Sequence, residues 1–351
     1  MVAVAVVVAA CQPPKKPPPP PPPPPPTPAV PSPPVSNADY PDFPDPFVLK
    51  DGGSGYLAAS TNAAPAGGGF DRMPTVTATS TLASWEETDE LLQGPKPNWV
   101  SASGQGGRWW APAVWYKGQT DTHFLYYTAR HSDGRQCIGG AVSLAATGAD
   151  GPYTVEGTLF ESNPVVCHPT QGSIDPSVFV ESNGNAWLLW KNDGNSIGQQ
   201  SYIWARRLGP DGGLLPGTSA VRLIGVSQAW EFGTGIHDSL VEGPSMVAAG
   251  GSLYLFYSGN NYLTSNYATG YAVCSAIATG ACTKPQNGPI LASGSNGRGP
   301  GGGEVFADHA GRLWLAYHAW NPSKPIPGGD RRFHISRLGF AGGKPSIGGS
   351  P

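Results

Sequence analysis

Three carboxylates stand at matching points of the chain: Asp45 before Pro46, Asp175 before Pro176, and Glu242 before Gly243-Pro244. Two carboxyl groups flanking a scissile bond can divide proton work, one protonating the leaving oxygen and the other activating water or attacking directly. Pro46 fixes the backbone after Asp45 and brings no N–H donor, which would hold that carboxylate in place. Glu242 follows Leu240-Val241 and precedes Gly243-Pro244. Such an apolar setting, with Asp175 adding like charge, would favour the protonated form that a general acid needs. Taken singly, Asp-Pro is a common turn starter. The shared register gives the three their weight.

That register comes from a repeat. The units open on Asp45-Pro46-Phe47-Val48, Ala111-Pro112-Ala113-Val114, Asp175-Pro176-Ser177-Val178, Gly243-Pro244-Ser245-Met246 and the degenerate Gly302-Gly303-Glu304-Val305. Each leads into an aliphatic and aromatic second strand, as in Leu253-Tyr254-Leu255-Phe256-Tyr257. From Pro46 to Pro112, Pro176, Pro244 and Gly303 the steps are roughly 66, 64, 68 and 59 residues, a period that marks repeated supersecondary units. A sheet of this size cannot bury both faces alone, but five stacked around an axis can. The expected fold is all-β, a five-bladed β-propeller over residues 37–348, with the start of each repeat innermost and the three carboxylates converging on the channel.

The ends and composition restrict the setting. Residues 1–11 read as a signal and lipobox segment: the apolar run Val2 to Ala10 is too short to span a bilayer and stops at Cys11, the expected lipidation site. Residues 12–36 read as a stiff proline-rich linker. This predicts an exported protein, extracellular or membrane-anchored through lipid alone. Charged residues make up 13% of the chain against about 25% in an average domain, and net charge is only -3 with no basic block. Nucleic acid is therefore not an expected partner. Four cysteines remain in the domain, which permits three pairings. The favoured one joins Cys274 to Cys282 across a short loop and Cys137 to Cys167 between neighbouring strands.

Read together, the segments Asp45-Pro46-Phe47-Val48, Trp110-Ala111-Pro112-Ala113-Val114, Ile174-Asp175-Pro176-Ser177-Val178, Val241-Glu242-Gly243-Pro244 and Tyr317-His318-Ala319 resemble, in order, the motifs of family 43 glycoside hydrolases. The resemblance runs from about Asp39 to Leu338. It implies an inverting glycosidase acting mostly on α-L-arabinofuranosides and β-D-xylosides, with Asp45 as general base, Glu242 as general acid and Asp175 tuning and orienting the acid. It also implies a calcium or other ion near the channel centre, held by His318 and water, although no cofactor is needed for the chemistry. One departure stands out: Gly301-Gly302-Gly303-Glu304 replaces a Gly-His-Asn segment, so Glu304 either serves as an acidic partner or points to solvent.

A sugar site also needs flat apolar walls with polar rims. Phe47, Trp110, Trp190 and Trp230 are the candidate walls, and Arg332, or its neighbour Arg331, would close the ring electrostatically. The expected activity is cleavage of arabinofuranosyl linkages in plant polysaccharide by a monomer. Xylan-directed hydrolysis is the nearest alternative, a non-catalytic glycan-binding propeller is a rival of another class, and a fructan-directed propeller acting by retention is a third.

Overall fold

Each repeat folds into one antiparallel sheet whose strands follow chain order outward from the first. The computed structural model describes residues 27–35, 41–50, 53–61, 72–79, 81–92, 95–101, 108–144, 158–285 and 287–351. Blade 1 holds β1 (Phe47–Lys50), β2 (Tyr56–Ala59), β3 (Pro74–Ala78) and β4 (Glu86–Glu90). Blade 2 holds β5 (Trp110–Lys117), β6 (Thr122–Arg130) and β7 (Gln136–Leu144). Blade 3 follows with β8 (Ser173–Val180), β9 (Ala186–Asn192), β10 (Tyr202–Arg207) and β11 (Val221–Gly225). Blade 4 is β12 (Val241–Ala249), β13 (Ser252–Gly259), β14 (Ala268–Cys274) and β15 (Cys282–Thr283). Blade 5 is β16 (Arg298–Ala307), β17 (Leu313–Trp320), β18 (Arg331–Ala341) and β19 (Lys344–Ile347).

The innermost strands close a ring in which β1 touches β5, β5 touches β8, β8 touches β12, β12 touches β16 and β16 touches β1. This is the five-bladed propeller that the repeat predicts. Second strands are buried along their length, as in Tyr56–Ala59 and Ala186–Asn192, because a neighbouring blade covers each face. Strand alternation then divides β9 between two seams. Leu188 and Trp190 pack toward blade 2, and Trp187 and Leu189 toward blade 4. Cys137 is bonded to Cys167, and Cys274 to Cys282, the favoured pairing.

The N-terminal boundary differs from the reading of the sequence. Cys11 and the lipobox segment lie outside the described residues, but residues 27–35 leave the spacer and lie on the propeller. Ala29 N–H donates to Ile290 O (2.8 Å), Ser32 N–H to the Tyr317 hydroxyl (3.1 Å) and Val35 N–H to Phe333 O (3.0 Å). Val35 is buried with Phe43, Trp85, Trp314 and Phe333 in the seam between blades 1 and 5. The donors recur every third residue, the turn length of an extended proline helix, which has no internal hydrogen bonds and can offer its few N–H groups outward.

Candidate active site

The same backbone device begins every blade. Asp45 (φ 50°), Ala111 (φ 47°), Asp175 (φ 56°), Gly243 (φ 55°) and Gly302 (φ 57°) are all left-handed, and each precedes a proline or, in blade 5, Gly303. In blades 2 to 5 the ladder to the second strand slips at this point. Such a bulge re-aims side chains, at a cost of about 1–2 kcal/mol for each non-glycine residue held left-handed. Here it opens a cavity of about 190 Å³ whose walls include Asp45, Asp175, Glu242, Trp110 and His318. All three sequence-predicted carboxylates therefore share one pocket.

Asp45 is held for ionisation. Its Oδ2 accepts from the Thr61 hydroxyl (2.6 Å), which in turn accepts from Ala111 N–H (3.0 Å), so Thr61 links blade 1 to blade 2 with its proton directed at the carboxylate. Asp45 N–H donates to His318 Nδ1 (3.1 Å), and the Asp45 Oδ1 atom lies 3.4 Å from the same nitrogen. Burial opposes the charge on Asp45, but His318, Arg331 and Thr61 outweigh it and bring the carboxyl down to about 2.

Asp175 shows the opposite balance. Its N–H donates to the Thr128 hydroxyl (3.1 Å) and its Oδ2 accepts from Gly243 N–H (3.1 Å). Burial, then the charge of Glu242, push its carboxyl well above the ordinary range, with Lys191 only partly opposing them. Glu242 departs from the apolar setting expected for it. Val241 is packed in the seam between blades 3 and 4, and the ladder slip that follows Glu242 leaves its side chain at the pocket. There Oε2 accepts from Lys191 Nζ (2.8 Å) and Oε1 from the Tyr267 hydroxyl (2.9 Å).

Beneath the pocket, Glu304 turns inward and accepts from Ser177 (3.2 Å) across the channel. Burial raises its carboxyl to about 8, with Ser245 and Ser177 only partly offsetting this. Glu304 thus joins blade 5 to blades 3 and 4 while staying partly exposed in the channel. His318 Nε2 is buried without a hydrogen-bond partner, and the ring stacks on Tyr267 with centroids 5.9 Å apart. A calcium takes six to eight oxygen ligands. Among the described residues no three His, Cys, Asp or Glu side chains gather as a metal site, so an ion at the channel centre would rest on His318 and water and not on a cage of protein oxygens.

The other predicted binding residues divide. Trp110 lines the pocket. Phe47 and Trp190 are core residues between blades, on strand faces turned into a seam. Trp230 stacks on Tyr257 (5.7 Å) and lies over Gly259 and Gly270, away from the cavity, because those glycines leave space for an indole on blade 4. Arg332 pairs with Asp330 (3.3 Å), whereas Arg331, on the opposite face of the strand, lines the pocket between Tyr262 and Trp320. The sequence reading missed Thr61, Tyr262, Tyr267 and the role of Lys191. For Lys191 a signal existed, since alternation along β9 points it toward blade 4 beside Trp187 and Leu189. Nothing local singles out Thr61.

Comparison with known proteins points the same way. The family model for glycosyl hydrolases family 43 matches residues 32–345. Arabinan endo-1,5-alpha-L-arabinosidase C of Emericella nidulans is 27% identical over 280 residues, covering 75% of this chain and 80% of that protein. A thermostable family-43 glycoside hydrolase superposes with a TM-score of 0.71 at 27% identity, covering 88% of this chain and 95% of that one. An endo-1,4-beta-xylanase from Bacteroides thetaiotaomicron shares the fold, with a TM-score of 0.70 at 24% identity over 89% and 96% of the two chains.

Proposed function

Because the chain belongs to family 43 of the glycosyl hydrolases, we propose that it cleaves α-L-arabinofuranosidic linkages of arabinan with inversion, using Asp45 as general base and Glu242 as general acid. The observation that carries the reading is the convergence of three carboxyl groups on one pocket with unlike surroundings. Asp45, at about 2, is ionised throughout the neutral range and can take a proton from water. Thr61 occupies its Oδ2, which leaves Oδ1 for that water. As the water oxygen bonds to the anomeric carbon, the glycosidic C–O bond breaks and Glu242 passes a proton to the departing oxygen. Solvent then restores both groups. Asp175, anchored by Gly243 N–H, holds a carboxyl beside Glu242 and orients the turn that carries it. The choice of arabinan rests on the Emericella nidulans relative.

The test is hydrolysis of debranched arabinan and of nitrophenyl α-L-arabinofuranoside and β-D-xyloside. Asp45→Ala is expected to abolish turnover of all substrates. Glu242→Ala should lose arabinan while retaining some activity on the nitrophenyl leaving group, which needs little protonation. A pocket that binds arabino-oligosaccharides without cutting any of these substrates would instead be that of a glycan-binding propeller.

A further inference from the structure

Lys191 is the penultimate residue of β9, its side chain almost wholly buried and facing blade 4. A buried ammonium requires a partner, and two carboxylates are near: Glu242 Oε2 at 2.8 Å and Asp193 Oδ1 at 3.8 Å. The shorter contact crosses from blade 3 to the residue assigned as general acid, whose other oxygen is held by Tyr267. Asp175 on β8 also acts on the Lys191 charge, and Asp45, His318 and Arg331 share the pocket with Glu242. Replacing a buried ion pair by apolar side chains is often neutral or stabilising. A lysine at this place is thus poorly explained by stability and better explained by the charge it supplies.

We propose that Lys191 is a positioning residue for the general acid: it fixes Oε2 of Glu242 opposite the Tyr267 hydroxyl and neutralises the carboxylate that remains once Glu242 has given its proton to the leaving oxygen. The inference rests on the role of Glu242 proposed above. Three carboxyl groups crowd one pocket, and each added negative charge opposes the next. A cation fixed on the acid's own oxygen relieves that repulsion as the glycosidic bond breaks. The long range of the neighbouring charges is visible on Lys191 itself. Burial acts to lower its pKa, yet Glu242, Asp193 and Asp175 together raise it, so it stays charged.

The experiment compares kcat/KM against pH for the wild type, Lys191→Met and Lys191→Arg on a linear arabino-oligosaccharide and on nitrophenyl α-L-arabinofuranoside. Without the cation the acid becomes weaker. The alkaline limb of Lys191→Met should therefore move to higher pH, and turnover of the oligosaccharide should fall about 100-fold. The nitrophenyl substrate should lose far less, and Lys191→Arg should restore part of the rate. In a Glu242→Gln background, Lys191→Met should add nothing further. If Lys191→Met does not fold, Lys191→Gln removes the charge while keeping a donor and gives the same readout. An unmoved alkaline limb with equal losses on both substrates, or a further loss in the Glu242→Gln background, overturns the role of Lys191. A wild type that cleaves neither substrate overturns the functional reading instead.

Discussion

Asp45 and Asp175 occupy the same point of two blades, share the same left-handed backbone and precede the same residue type, yet their carboxyls are pushed in opposite directions. The difference lies in their partners. Asp45 meets His318 of blade 5 and accepts a hydrogen bond from the Thr61 hydroxyl of its own blade, whereas Asp175 faces the charge of Glu242 on blade 4. Thr61→Val should raise the Asp45 carboxyl by removing a donor to its charged form, so the acid limb of kcat/KM should shift to higher pH. It also strands the Ala111 N–H, a cost of roughly 1–3 kcal/mol seen as a lower Tm. An acid limb that stays in place would show that Thr61 does not tune the base. Glu304 allows a second residue-scale test. Its carboxyl rises from 4.5 to about 8 on folding, so the folded chain binds a proton that the unfolded chain releases. Stability from this group is therefore lost progressively as pH rises from about 4.5 to 8. The Tm of Glu304→Gln relative to wild type should climb across that window, and a constant difference would contradict the assignment.

At the scale of the element, the bulge that begins each innermost strand decides what may stand there. In blade 5 that residue is Gly302, where a Cβ would collide with Oδ1 of Asp45 and lie 2.7 Å from Cε1 of His318. Gly302→Ala should cost at least 100-fold in kcat through displacement of the base, with Tm falling only slightly. Unchanged kcat would mean that the Asp45 carboxylate can move aside without penalty. Much of this level was legible in the sequence, because the Pro and Gly positions recur with the period and put Asp45 and Asp175 in one register, with Glu242 one residue ahead of the equivalent Gly243. What was not legible depends on the facing blade. Arg331 and Arg332 are adjacent in sequence, and only the phase of β18 decides that the first meets the pocket and the second meets Asp330. Trp230 was expected to meet sugar, but the void above Gly259 and Gly270 that receives it appears only once β13 and β14 pair. The setting of Glu242 was misjudged for a related reason. Its sequence neighbours are apolar, whereas its spatial neighbours are an ammonium and a phenol.

Across the whole molecule the core is a set of wedges between blades, and the seam between blades 1 and 5 is the one that no continuous stretch of strands bridges. Val35 of the proline-rich strap is buried in it. Deleting residues 1–36 rather than 1–26 removes a buried valine side chain and three backbone donors, a loss on the order of 3 kcal/mol. The shorter chain should melt several degrees lower while keeping its activity against the nitrophenyl arabinoside. Equal Tm values for the two truncations would show that the strap adds no stability.

The strap also sets an order of events. Residues 27–35 are made before any blade, yet they dock on Tyr317 and Phe333, which are made with the last one. During synthesis the earlier blades can pair locally while this stretch waits with nothing to hold, and contacts so far apart in sequence form late. The ring is sealed by a stretch made before every blade, so a chain that stops short of blade 5 has neither a fifth blade nor a latch.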